Sequence, residues 1–156
     1  MVNKIKNKKI NYNNYFPLKL RAEDDKDLEV LSECLFESVC LEREMKFLKE
    51  EKTFLMCFDR FTWEISGLSS EKLLQVQCIL QVDYVNSVLA DGLFKSNVNS
   101  LYSLISIAYS EKYLIFSFDR GAALTLEISK LRVFIEDIGN PIWPATVPSR
   151  KKGIFI

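Results

Sequence analysis

Apolar and polar residues alternate along most of this chain, and a period of two is the signature of half-buried β-strands. The clearest run sets Leu74, Val76, Cys78, Leu80 and Val82 against Gln75, Gln77 and Gln81. Tyr102 to Tyr109, Tyr113 to Phe118 and Ala122 to Ile128 predict a meander, with tight turns at Ser110-Glu111-Lys112 and Asp119-Arg120-Gly121. Leu131, Val133 and Ile135 extend the alternation. Gly139, Pro141 and Pro144 then predict that regular sheet ends across Asp137 to Pro144.

One segment has a different period. Leu28, Leu31 and Leu35 recur at helical spacing beside Cys34, while Glu29, Glu33 and Glu37 mark a wet face, so an amphipathic helix is expected over 24–38. Asp24 and Asp27 stand at capping-box spacing, and acids there suit the positive end of the helix dipole. Phe16 to Leu20 predicts a short strand before it, and Ser66 to Ser70 and Asn97 to Asn99 predict loops.

Val39 to Phe47 and Thr53 to Glu64 predict a hairpin turning at Lys49-Glu50-Glu51-Lys52. In its second arm Phe54, Met56 and Phe58 share one parity, whereas Phe61 and Trp63 share the other. A strand cannot exchange faces without a bulge or bend, so one is expected at Asp59-Arg60. The expected fold is α+β: one N-terminal amphipathic helix on a bent, mostly antiparallel sheet or partly open barrel of about seven strands. A pleckstrin-homology-like architecture has that shape, although its helix usually lies at the C-terminus.

Composition narrows the function classes. A length of 156 residues and 48% hydrophobic content suit one domain, expected over 16–145. Residues 1–15, rich in Asn and Lys, are expected to form a disordered basic arm, and 146–156 a flexible tail. Lys plus Arg and Asp plus Glu are both 21, so no overall field favours nucleic acid or an anionic membrane. Charge is nevertheless uneven, with six bases and no acid over 1–22 and eleven acids against four bases over 23–51. No apolar run reaches the roughly 20 residues of a membrane span, and no signal-peptide pattern opens the chain, so a cytoplasmic location is expected.

Cys34, Cys40, Cys57 and Cys78 lack metal or redox spacing and are expected to be reduced and buried. The chain has no histidine. That removes Ser-His-Asp and Cys-His catalysis and His-ligated metals, leaving carboxylate or lysine chemistry.

Several segments together resemble a family found mainly in alphaproteobacteria and catalogued as domain of unknown function 2948. They are Leu18 to Leu20 leading into the acidic helix, Met45-Lys46-Phe47-Leu48, Arg60-Phe61-Thr62-Trp63-Glu64, and Ile135-Glu136-Asp137-Ile138-Gly139 followed by Trp143. The resemblance spans roughly 16–145 and implies a single bacterial domain, with no catalytic residues to carry over.

Among candidate sites, Asp59, Arg60 and Trp63 form the leading one. Arg and Trp are enriched at binding hot spots, and Arg grips carboxylates or phosphates bidentately. The competing reading places Trp63 in the core and pairs Arg60 with Asp59 or a neighbouring acid. Phe118-Asp119-Arg120 echoes Phe58-Asp59-Arg60 and adds Arg120 to the candidates, although its turn explains it equally well. Ser69 and Lys72 match Ser-x-x-Lys without its companion motifs. Asp83, Asp91, Glu136 and Asp137 are read as solvated acids, Glu136 and Asp137 facing opposite ways. Lys4, Lys6, Lys8 and Lys9, with Tyr12 and Tyr15, offer weak nucleic-acid contact or simply a solubilising tail.

These observations lead to a non-catalytic protein-binding or adaptor module whose partner is another protein, with no cofactor, metal or membrane and with oligomeric state left open. The alternative is a small enzyme or ligand carrier that uses carboxylate or Lys chemistry.

Overall fold

A computed structural model describes residues 15–66, 73–94 and 99–142. Its sheet is antiparallel and open. Ten strands are connected: β1 (Lys19–Ala22), β2 (Val39–Leu41), β3 (Met45–Leu48), β4 (Thr53–Phe61), β5 (Gln75–Val82), β6 (Val85–Asp91), β7 (Leu101–Ser110), β8 (Tyr113–Phe118), β9 (Ala123–Ile128) and β10 (Val133–Ile142). Their order is β1-β10-β5-β4-β2-β7-β8-β9-β6, with β3 paired to β4 off that path. Among the described residues there are two α-helices, α1 (Asp25–Cys34) and the single turn α2 (Trp63–Ser66).

The count exceeds the expected figure of about seven strands, and two features account for strands the alternation did not show. The first arm of the hairpin is not continuous, because a 3-10 turn at Glu42–Glu44 divides it into β2 and β3. Only β3 pairs with the start of β4, whereas β2 bridges Asp59 on β4 and Ser103 on β7 through Val39. Strand β6 carries Asn86 and Ser87 and slips register between Val85 and Ser87, which hides its alternation in the sequence. Ten strands and a helix near the N-terminus also depart from the pleckstrin-homology-like arrangement.

Strand β10 continues through the stretch where sheet was expected to end. Its register to β5 becomes irregular between Ile138 and Ile142, with Gly139 supplying a positive φ of 75°. Residues 1–14 of the arm expected over 1–15, the tail at 146–156, and Ser69, Lys72 and Trp143 lie outside the described residues, whereas Tyr15, the last residue of that arm, is held by a hydrogen bond to Asp137.

Helix α1 begins at its expected cap. The Asp24 carboxylate accepts from the Asp27 N–H at 2.8 Å, and Asp27 reaches back to the Glu23 N–H at 3.4 Å. The helix ends four residues before Ser38, because Leu35 leaves helical geometry and Glu37 takes a positive φ. Leu28, Leu31 and Leu35 are buried, as their spacing requires, and α1 packs on β1 and β7.

The core is one hydrophobic cluster fed by both halves of the sheet, which therefore bends over itself. Inward rows are Phe54, Met56 and Phe58 on β4, Val76, Cys78, Leu80 and Val82 on β5, and Val133 and Ile135 on β10. Each large side chain so buried contributes roughly 1.5–3 kcal/mol of transfer free energy.

Candidate functional site

Arg60 occupies the next inward position after Phe58, so β4 does not exchange faces at Asp59-Arg60. Its side chain is fully buried, while Asp59 on the opposite face is exposed. Phe61 is also buried, and the chain then leaves the sheet: Trp63 begins a helical turn rather than ending a strand. The parity change that suggested a bulge marks the end of β4.

Register explains which acid meets Arg60. Strand β5 lies between β4 and β10; Arg60 pairs in register with Val76 and Asp137 with Cys78, all on the inward face. Two strand spacings, about 9.6 Å, separate β4 from β10, a span that a long arginine and a short aspartate close together. Arg60 Nε and Nη2 donate to the two Asp137 carboxylate oxygens at 2.7 and 2.8 Å. Nη1 and Nη2 donate to the two Glu64 oxygens, both at 2.9 Å, and Nη1 also donates to the Phe61 carbonyl at 3.1 Å. All five N–H donors of the guanidinium are thereby used.

Asp137 also receives the Leu18 N–H and the Tyr15 hydroxyl, each at 2.8 Å. It is therefore a buried ionic partner, not the solvated acid expected from sequence. Burial pushes its carboxyl up, but Arg60, the Leu18 amide and Tyr15 outweigh that and hold it below the ordinary carboxylate range. Burial lowers the Arg60 pKa, and its hydrogen bonds to the Asp137 and Glu64 carboxylates more than reverse it, so the guanidinium stays charged. Tyr15 is raised by burial and by donating to Asp137. This cluster closes one end of the core and has no donor left for an incoming carboxylate or phosphate.

The other candidates lie apart from it. Arg120 sits in the 3-10 turn Asp119–Gly121 with φ 59°, its guanidinium 4.4 Å from the Tyr102 ring centroid and hydrogen-bonded to the Leu101 carbonyl. Asp119 accepts from the Ser103 N–H at 3.0 Å, so the second Asp-Arg corner is a turn anchor. Asp83 pairs with Arg132 at 3.7 Å, Asp91 is exposed at the end of β6, and Glu136 faces solvent opposite Asp137. Cys40 and Cys78 are buried, Cys34 and Cys57 half-buried, and all four are free. Among the described residues no group of three or more Cys, Asp or Glu could hold a metal, and no helix is long and apolar enough to cross a membrane.

Trp63 leads to a different surface. It is half-buried, its indole N–H donates to the Phe36 carbonyl at 2.8 Å, and the two rings lie 6.3 Å apart. Phe36 follows α1 and is 44% exposed. It lines a groove of about 410 Å³ between α1 and β7, whose other wall carries Ile105, Ile107 and Tyr109.

Ile105 is 39% exposed because β7 contains the face exchange that the sequence suggested for β4. The β7–β8 register shifts between Leu104 and Ser106, giving β7 one extra residue. Leu104 points inward before the shift and Ile107 after it, which turns Ile105 toward the groove. Alternation in Leu104-Ile105-Ser106-Ile107 is blurred by three apolar residues in four, so only an inspection of both parities would have found it.

No curated protein and no solved structure matches this sequence. A family model does match, over residues 18–150, a range that takes in every strand of the sheet and both helices, and the chain accordingly belongs to the family of proteins of unknown function DUF2948.

Proposed function

We propose that this chain is a non-catalytic protein-binding or adaptor module whose docking surface is the groove between α1 and β7. The observation that carries the reading is the pair of exposed apolar side chains, Phe36 and Ile105, on opposite walls of one groove. Both are held by rigid supports. Trp63 braces Phe36 through its indole hydrogen bond, and the β7 bulge presents Ile105. Partly exposed apolar anchors on fixed elements lose little entropy on binding, which is the condition for a hot spot.

A non-catalytic role is further supported by the internal use of all five Arg60 donors, which takes the strongest charged cluster out of play as a reactive site. Of the surface candidates from the sequence, Trp63 enters this reading as the brace of Phe36, whereas Asp59 and Arg120 stand outside the groove lining.

The test is site-directed photo-crosslinking in cells, with a photoreactive phenylalanine analogue at position 36. A discrete protein adduct is expected, and Ile105→Asp should abolish it while leaving the circular dichroism spectrum unchanged. An adduct indifferent to Ile105→Asp, or none at all, would remove the groove as the docking surface.

A further inference from the structure

We infer that the groove between α1 and β7 takes a basic amphipathic helix of a partner protein; the inference rests on that groove being the docking surface. Its apolar wall is Ile105, Ile107 and Tyr109, at alternate positions of one strand. Its helical wall is acidic. Asp25, Glu29 and Glu33 stand at i, i+4 and i+8 along α1, all exposed and all lining the groove. Among the described residues its lining contains no Lys or Arg, and none of these three acids forms a salt bridge.

The acidic row works against the helix that carries it. Like charges four residues apart repel on a helix surface, and Glu33 lies in the last turn, at the negative end of the dipole, where α1 has no basic residue. Cations supplied from outside relieve both penalties, so charge complementarity favours a basic occupant over an acidic or neutral one.

Dimensions favour a helix as that occupant. The acidic row is about 12 Å long, from eight residues at 1.5 Å each. The apolar row from Ile105 to Tyr109 is about 13 Å long, from four strand intervals. Two turns of helix fill that length, and Lys or Arg at i and i+4 on the partner repeat at the same pitch as Glu29 and Glu33. Its Leu or Ile positions then rest on Ile105 and Phe36, as in helix-in-groove recognition generally.

The probe is a fluorescently labelled amphipathic peptide of Leu and Lys, about 15 residues and roughly 22 Å long as a helix. Binding to the full chain is followed by anisotropy, with a second peptide carrying Glu for every Lys. The Lys peptide should bind and the Glu peptide should not. Glu29→Lys/Glu33→Lys should weaken binding at least about tenfold, as should raising NaCl from about 50 to about 500 mM. Glu50→Lys/Glu51→Lys, the same charge change in the β3–β4 turn, should leave affinity unaltered. These positions are exposed, so circular dichroism should be unchanged in both variants.

Equal affinity for both peptides, equal loss in both charge-reversed variants, or no binding of the Lys peptide would each overturn the inference. If the crosslink at position 36 survives Glu29→Lys/Glu33→Lys and still requires Ile105, the docking surface stands and its basic partner does not.

Discussion

Arg60 donates every N–H group inside the molecule, so its loss leaves Asp137 and Glu64 facing each other without a counter-ion. Arg60→Ala is expected to cost about 3–5 kcal/mol in urea unfolding, the range for breaking a buried ion pair by removing one partner. Asp137→Asn should cost less, because it keeps its shape and leaves Glu64 to neutralise Arg60. Acid should erase part of this difference. A carboxyl held below its unfolded value contributes stability above about pH 3.9, and that contribution is lost as pH falls through the depressed folded value. The stability gap between wild type and Asp137→Asn should therefore be constant near neutrality and narrow below about pH 4. Tyr15 has the opposite dependence: its raised pKa contributes stability that disappears as pH climbs past about 10, and Tyr15→Phe should remove that alkaline loss.

At the scale of elements, two local devices decide which side chains reach the groove. Deleting Ile105 removes the extra residue of the β7 bulge and joins Leu104 to Ser106, so simple alternation keeps Leu104, Ile107 and Tyr109 on their faces and in register with β8 while the groove loses its exposed isoleucine. The deletion variant should therefore keep a cooperative transition in calorimetry while losing the crosslink at position 36, as Ile105→Asp should. Trp63→Phe removes the indole donor to the Phe36 carbonyl but keeps an aromatic ring, and about 1 kcal/mol of stability should go with it, measured by chemical denaturation. Much of this level was legible in the sequence. The β5 alternation, the β7–β8–β9 meander and the Asp24 cap follow from period and capping chemistry that act locally. The pairing of Arg60 with Asp137 was not, because it depends on β10 lying two strands away across β5, a relation fixed by topology rather than by neighbouring residues. Glu64, four residues on, was within reach of a local reading, yet treating Trp63 as a strand residue placed it on no helical turn.

Across the whole molecule, β2 is the short link between two larger groups of strands, since Val39 pairs with β4 on one edge and all three of its residues pair with β7 on the other. A link that small suggests two separately unfolding halves, but the hydrophobic cluster is continuous across them. Thermal unfolding should accordingly give one transition, with calorimetric and van't Hoff enthalpies in agreement. The order of assembly is constrained by a contact at the far edge of the sheet. Leu18 and Tyr15 bind Asp137 across sequence separations of 119 and 122 residues. Loops of that length close late and slowly. Until β10 is laid beside β5, Arg60 has only Glu64 and a carbonyl to meet its charge, so the interior of the first half cannot fully dehydrate. A chain emerging from the ribosome therefore holds its largest buried cation partly solvated until nearly all of its strands have been made, and refolding should end on a kinetic phase that Asp137→Asn slows.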